Sequence, residues 1–210
     1  NDDAIDLIQK AIKINPSAPQ FHTNMGCVFE AQGMLDRAIA CHNKALSLKP
    51  DYVDALNNAG AISYKQGNLG KAIEFYRRAL ALNPNYAQAH NLLGVALKDR
   101  GHLEKAIYHL KLASTLMPNY AEAYNNLGMI LKDQSLQEEA VACYQKAISL
   151  KPNLAEAYNN LGIVLREQHR LEDAAEHCLR ALALKPDLAE AHNNLGNVLK
   201  DRGQLDKAAE

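Results

Sequence analysis

The stretch AEAYNNLG at residues 121–128 decides the fold of this chain, because it recurs at a fixed spacing. It returns unchanged at residues 155–162 and as AEAHNNLG at residues 189–196, so that successive copies begin 34 residues apart. A period of this size indicates an array of repeated supersecondary units.

Three residue types keep the same 34-residue spacing along the whole chain. The proline row is Pro16, Pro50, Pro84, Pro118, Pro152 and Pro186, the glycine row is Gly26, Gly60, Gly94, Gly128, Gly162 and Gly196, and the alanine row is Ala38, Ala72, Ala106, Ala140, Ala174 and Ala208.

Each unit is numbered here from 1 to 34, with the proline at position 32. The units are then the second half of a repeat (1–18), five full repeats (19–52, 53–86, 87–120, 121–154 and 155–188) and a partial repeat (189–210). We interpret residues 1–210 as a single array, cut from a longer one.

Each unit is predicted to form helix A, a turn, helix B and a proline stop, because proline disfavours helix in the residue before it. In unit 121–154 the pattern predicts helix A over about 122–134 and helix B over about 136–149. The chain is predicted to open with a helix B over about 2–14, whose apolar face (Ile5, Ile8 and Ile12) should seek a partner. The A–B turns carry a glycine (Gly33, Gly67, Gly101 and Gly203) or, in two units, Ser135 and His169.

Composition excludes several classes of function. The net charge is −1, which gives no general attraction to nucleic acid or acidic membranes, and no apolar run approaches the ~20 residues of a membrane span. The spacing of Cys27, Cys41, Cys143 and Cys178 fits neither a disulfide framework nor a metal knuckle. We therefore predict that these cysteines serve as small apolar residues of a reducing, cytoplasmic protein. We expect no cofactor and no catalysis in this segment, since no catalytic or metal-binding constellation is present. His42 and Cys178 are predicted core fillers.

One unit matches a known repeat pattern residue by residue: Tyr124, Leu127, Gly128, Leu131, Ala140, Tyr144, Ala147 and Pro152. In these positions the chain resembles the tetratricopeptide repeat (TPR) family. The resemblance implies an all-α, right-handed superhelical solenoid of helix-turn-helix repeats whose A helices line an inner groove. The chain departs from the family mildly, in the order of Leu136 and Gln137 after one turn and where the family often has tryptophan, at His22, Leu56, His90 and His192.

The glycine at position 8 of every helix A needs an explanation, because glycine costs ~1 kcal/mol relative to alanine inside a helix. We expect a close approach of helix B at this point, made through the small alanine at position 20.

A helical projection separates two faces of helix A. Positions 3, 4, 7, 8, 10 and 11 are apolar or glycine and should face the core, whereas positions 2, 5, 6, 9, 12 and 13 should line the groove. Two asparagine rows fall in the groove. They are Asn57, Asn91, Asn125, Asn159 and Asn193 at position 5, and Asn24, Asn58, Asn126, Asn160 and Asn194 at position 6, where Leu92 breaks the row.

Inside a helix, asparagine is less favourable than alanine by up to ~0.7 kcal/mol per residue. Some interaction must therefore offset the cost of the ten asparagines in these two rows. One interpretation is that the amides bind the backbone of an extended peptide, because a carboxamide both donates and accepts hydrogen bonds. The other is that they bond to the neighbouring helix A. On the first interpretation Asn126, Asn160 and Asn194 matter for binding and not for folding, so that their replacement by alanine should keep or raise the melting temperature.

Further candidate groove residues are Met129 at position 9 and the basic residues Lys98, Lys132, Arg166 and Lys200 at position 12. Position 9 is interpreted either as a row of shallow apolar pockets or as filler between helices. For the basic residues, pairing with acidic residues across neighbouring helices is favoured over a role in binding.

The leading functional hypothesis is a scaffold that binds an extended peptide or protein segment. The asparagine rows also resemble the TPR arrays of O-linked N-acetylglucosamine transferases and SPINDLY-type proteins, which implies a substrate-recruiting array with a catalytic domain outside this chain. A third hypothesis is self-assembly, end to end or as a dimer.

Overall fold

A computed structural model describes residues 2–203, apart from the side chain of Asp2. Across that range the chain forms twelve α-helices and no strand. The helices are α1 (Asp2–Ile14), α2 (Pro19–Ala31), α3 (Leu35–Leu48), α4 (Val53–Lys65), α5 (Leu69–Leu82), α6 (Ala87–Asp99), α7 (Leu103–Leu116), α8 (Ala121–Asp133), α9 (Gln137–Leu150), α10 (Ala155–Glu167), α11 (Leu171–Leu184) and α12 (Ala189–Asp201). The rest of the partial repeat, with Ala208, lies outside the described residues.

The helix boundaries follow the prediction closely. Helix α1 has the predicted bounds, whereas α8 begins and ends one residue earlier than predicted and α9 begins and ends one residue later. Ser135 and His169 take left-handed backbone conformations, with φ of 62° and 60°, where the other turns use glycine. The order of Leu136 and Gln137 therefore leaves the turn unchanged, and α9 begins at the same repeat position as the other B helices.

The chain divides into two compact units, unit 1 (Asn1–Leu116, helices α1–α7) and unit 2 (Met117–Glu210, helices α8–α12). Inside each unit every helix A except α12 packs on the described helix B that follows it, and each helix B packs on the next helix A of that unit. The A helices also adjoin one another: α2, α4 and α6 in unit 1, and α8, α10 and α12 in unit 2. This architecture is an all-α helical solenoid.

The position-8 glycines lie against position 24 of helix B. A Cβ atom built on Gly60 would lie 2.5 Å from Tyr76 Cε1, and one on Gly128 would lie 2.7 Å from Tyr144 Cε1. The same place is taken in the other full repeats by a different fully buried side chain, namely His42, Leu110 or Cys178. The expected close approach of helix B is present, but the nearest side chain is that of position 24; the position-20 alanine is among the three nearest neighbours in two repeats, through the carbonyl oxygens of Ala106 and Ala174.

The position-4 histidines fix the turn between repeats. His22, His90 and His192 each place Nε2 2.8–3.0 Å from the carbonyl oxygen of the proline six residues earlier. A carbonyl only accepts, so each Nε2 carries the proton and donates. These histidines thus supply a ring N–H, which is also what an indole would supply at this position.

Helix α1 does not expose the face that the sequence indicated. Ile5, Ile8 and Ile12 are half-buried and pack against the cluster around Met25 and Phe29, so they already have a partner. The other face is the exposed one: Leu7 is 65% exposed and Ile14 is 85% exposed.

Residues 2–203 contain no helix long and apolar enough to cross a membrane. Within the same range, no three histidine, cysteine or acidic side chains are placed to hold a metal ion. The four cysteines are free thiols. His42 and Cys178 are fully buried core residues as predicted, whereas Cys27 is exposed.

Candidate functional site

The asparagines of unit 2 form a ladder of side-chain hydrogen bonds between successive A helices. Asn160 Nδ2 donates to Asn125 Oδ1 at 3.1 Å, joining α10 to α8. Asn194 Nδ2 donates to Asn159 Oδ1 at 2.9 Å, joining α12 to α10. Each bond runs from position 6 of one repeat to position 5 of the repeat before it, and we call each such bond a rung.

The two ends of a rung differ in exposure. Asn125 and Asn159 are 8% and 2% exposed, and the Oδ1 of each already accepts the hydrogen bond of its rung. Asn160 and Asn194 are half-buried and reach the surface of the A helices. Among the described residues each of these two amides makes this one hydrogen bond, which leaves an N–H and the carbonyl oxygen for solvent or a ligand.

The prediction that position 5 lines the groove is wrong for four of its five residues. Those four are buried: Asn57, Asn91, Asn125 and Asn159. For Asn125 and Asn159 the interpretation as bonds to the neighbouring helix A is the one that fits. Asn193, in the last helix, is exposed. The expectation that position 6 does not matter for folding stays a prediction, and the bonds by which Asn160 and Asn194 connect helices favour the opposite outcome. At position 6 of the other repeats, Asn58 and Asn126 are half-buried and Asn24 is exposed.

The A helices of unit 1 (α2, α4 and α6) could form two rungs, and neither is present among the described residues. Asn58 Nδ2 points to Cys27 Sγ at 3.5 Å, a weak acceptor, and the buried Thr23 Oγ1 has no partner. The next rung would join Asn57 to residue 92, which is a leucine and has no donor. Asn57 Oδ1 is accordingly buried without a hydrogen-bond partner. Such a group costs roughly 1–3 kcal/mol.

The charged residues at positions 12 and 13 pair along the same register. Arg166 Nε lies 2.6 Å from Asp201 Oδ2, and Lys65 Nζ lies 2.8 Å from Glu30 Oε1. Tyr64 donates its hydroxyl to Asp99 in the same way, and together with burial this raises the pKa of Tyr64 to about 12. Among the basic residues at position 12, Arg166 pairs across neighbouring helices as the favoured interpretation expects.

Lys98 and Lys132 differ from Arg166, since each lies near the aspartate that follows it, at 3.6 Å and 3.3 Å. Lys200 is exposed. Exposed or partly exposed pairs contribute about 0–1 kcal/mol, so these cations contribute little to stability.

Position 2 has partners that sequence reasoning did not identify. Glu122 lies 2.7 Å from Lys151 Nζ and Glu156 lies 3.4 Å from Lys185 Nζ, so each pair joins the start of helix A to the end of helix B. The lysine lowers the pKa of Glu122 against the opposing effect of its partial burial, which is the larger single contribution. The signal that could have found these pairs is the fixed separation of 29 residues between each glutamate and its lysine.

Position 9 lies in the middle of the A-helix face. Met129 and Ile163 are half-buried there in unit 2, and Ala61 and Val95 are half-buried in unit 1. The A-helix face of each unit therefore combines partly exposed apolar side chains with amides. Such a surface can contact a polypeptide through both its side chains and its backbone.

Comparison with known families gives matches along most of the chain. A TPR repeat model matches residues 28–67, 60–99, 95–135 and 130–168, and tetratricopeptide repeat models match residues 155–188 and 177–210. A comparison with curated proteins gave no match.

Among solved structures the chain is similar to YrrB, described as a TPR protein with an unusual peptide-binding site (25% identity, 90% of this chain, 97% of that chain, TM-score 0.64). It is also similar to MamA (28% identity, 79% of this chain, 97% of that chain, TM-score 0.65). A chain of the APC/C hetero-tetramer Cut9-Hcn1 shares the fold (21% identity, 94% of this chain, 39% of that chain, TM-score 0.87). Six phased repeats in the sequence, helix pairs in each unit and the matching family models agree. The chain belongs to the tetratricopeptide repeat family.

Proposed function

We propose that the A-helix face of each unit binds an extended segment of a partner protein. A TPR fold indicates a protein-interaction scaffold, and YrrB shows that a similar chain can carry a peptide-binding site. The observation that carries the proposal is the pair of half-buried amides, Asn160 and Asn194, which the rungs hold in a fixed orientation.

The spacing of the A helices suits a polypeptide in extended conformation. Packed helices lie roughly 8–10 Å apart, and an extended chain advances roughly 3.3–3.6 Å per residue. One position-6 amide would therefore meet about every third residue of the peptide. Because each amide is already ordered by its rung, binding costs less side-chain entropy than it would for a free asparagine.

The test is a titration with a peptide found without bias. Random linear 12-mers displayed on phage are selected on the whole chain, and the best synthetic peptide is titrated by fluorescence anisotropy. Each lost backbone contact weakens binding by about 0.5–1.5 kcal/mol, so we expect Asn160→Ala with Asn194→Ala to lower affinity about tenfold. Titrations are made well below the melting temperature of the variant.

The matched control is Asn43→Ala, which removes an exposed amide from helix α3, a helix B. Its affinity should equal that of the wild-type chain. Selected peptides that bind all three proteins equally well would contradict the proposal for unit 2.

A narrower proposal follows from the resemblance of the AEAYNNLG units to the arrays of O-linked N-acetylglucosamine transferases. On that proposal the array recruits protein substrates to a glycosyltransferase domain. The coding sequence on either side of these 210 residues tests it, and an encoded protein without a glycosyltransferase domain would contradict it. Self-assembly is tested by light scattering, in which a molecular mass independent of concentration counts against it.

A further inference from the structure

Three apolar side chains adjoin on the A-helix face of unit 1: Ala61 on α4 and Leu92 and Val95 on α6. All three are half-buried and so partly exposed. The contact of Asn58 with Cys27 shows that position 6 of one helix A reaches position 9 of the helix before it. The same register places Leu92 against Ala61, and Leu92 and Val95 are neighbours three residues apart on one helix. We call Ala61, Leu92 and Val95 the apolar step.

Unit 2 is built differently at the corresponding place. There Met129 and Ile163 are separated by the amide of Asn160, which is engaged in a rung. In unit 1 leucine replaces that amide, and the small side chain of Ala61 replaces the long one of Met129. The step is therefore an apolar surface that no amide interrupts, and its side chain at position 9 is smaller than that of unit 2.

An unpartnered acceptor lies at the same place. Two equivalents of Asn57, Asn125 and Asn159, receive a hydrogen bond from position 6 of the next repeat. For Asn57 that position is Leu92, and Asn57 Oδ1 is left without a partner although the residue is only 7% exposed. In this register Leu92 stands where unit 2 has the donor, so a ligand that displaces the leucine side chain would bring its own N–H donor to this oxygen.

A peptide residue offers both groups that this place lacks, because an extended chain presents backbone N–H donors between alternating side chains. We propose that the apolar step selects an aliphatic side chain of the bound peptide, with Asn57 Oδ1 as the acceptor for a peptide N–H. Leu92 is then a specificity-determining residue of unit 1. The asparagine ladder of unit 2, in contrast, contacts only the peptide backbone. The inference rests on the proposed function, since it names what the face of unit 1 recognises.

The experiment weakens the binding face of unit 2 by using the chain with Asn160→Ala and Asn194→Ala. The same phage-displayed library is selected on this variant, and the recovered peptide is synthesised with its aliphatic residue intact or replaced by alanine. We expect the replacement to weaken binding about tenfold, and by less than about twofold once Leu92→Asn is added. Leu179→Asn, the same change at an exposed site on the helix B α11, should leave the tenfold preference intact.

The outcomes separate this inference from the proposed function. An aliphatic preference that is missing, or that survives Leu92→Asn, overturns the inference alone. So does a library that yields peptides on the wild-type chain and none on the variant. A library that yields no peptide on either chain overturns both.

Discussion

Gly60 shows, at the scale of one residue, how packing between helices selects the residue at a position of the repeat. Its Cα faces the ring of Tyr76, which is fully buried. The intrinsic preference for alanine in a helix is therefore overridden by packing. The sequence predicted that a close approach must exist, but it could not identify the partner, because position 24 varies between tyrosine, histidine, leucine and cysteine.

Replacing Gly60 by alanine is expected to destabilise the protein by about 1–3 kcal/mol, because the added methyl group overlaps a ring in a closed core. Gly70 is the matched control on the exposed surface of α5, where an added Cβ meets nothing closer than 4.0 Å. Because Gly70 is the second residue of α5, where helix propensity has less weight than in a helix interior, Gly70→Ala should leave the stability unchanged or raise it by up to about 1 kcal/mol. Urea unfolding measures both, and a loss of stability in both variants would contradict the packing argument.

His90 and His109 form a pair whose proton positions follow from its partners. His90 Nε2 donates to Pro84 O, so the His90 Nδ1 that lies 2.9 Å from His109 Nδ1 is an acceptor. His109 Nδ1 must then be the donor. Burial, the neighbouring His90 and the charge of Arg77 lower the pKa of His109 to about 4.

This lowered pKa predicts a loss of stability in weak acid. The unfolded chain takes up a proton at a pKa of about 6.5 and the folded chain only at about 4, so stability falls as the pH drops through that window. Allowing for partial exposure, we expect about 1–2 kcal/mol of loss between pH 7.5 and pH 5 from this group. Unfolding in urea at the two pH values should show a smaller loss for His109→Gln. An equal loss in both proteins contradicts this account, and His102→Gln, on an exposed turn, controls for removal of a histidine.

At the scale of the element, the asparagine rows show where a helical projection fails. Positions 5 and 12 lie at one edge of the groove arc and positions 6 and 13 at the opposite edge, about 100° away in projection. Stacking of A helices brings opposite edges of neighbouring helices together. The edges therefore bond to each other, as in Asn160–Asn125 and Arg166–Asp201. The projection treats each helix alone, so it assigned the buried position 5 to the open face.

The missing rung of unit 1 can be restored by one substitution. Leu92→Asn places a donor against Asn57 Oδ1, and the new hydrogen bond should contribute about 0.5–1.5 kcal/mol. A double-mutant cycle with Asn57→Ala isolates this value from the change in packing and helix propensity at residue 92. A coupling free energy of zero in urea unfolding would show that residue 92 does not face Asn57.

Unit 2 provides the opposite test of the same element. Asn160→Leu removes a donor and leaves Asn125 Oδ1 buried without a partner, as Asn57 is in unit 1. We expect a loss of about 1–3 kcal/mol in the free energy of unfolding. Unchanged stability would contradict a structural role for the rung and would favour the sequence-based expectation that position 6 serves binding only.

For the whole molecule, the 34-residue period was sufficient to predict the all-α solenoid and most helix boundaries. The period could not predict which amides are buried, because that depends on contacts between repeats and not on the pattern within one. It also could not show that Leu92 leaves an acceptor without a partner, since only the register of α4 and α6 reveals the pair. The division into a single array of residues 1–210, and the binding role of each groove residue, stay predictions.

The most direct measurement of the central claim is an NMR titration that observes the side-chain amide groups. The Nδ2 resonances of Asn160 and Asn194 are assigned by single substitution and followed while a phage-selected peptide is added. If the A-helix face of unit 2 binds peptide backbone, these two resonances shift together with those of Met129 and Ile163, and the amide of Asn43 on a helix B does not. Shifts confined to the B helices, with Asn160 and Asn194 unchanged at saturation, would contradict the account.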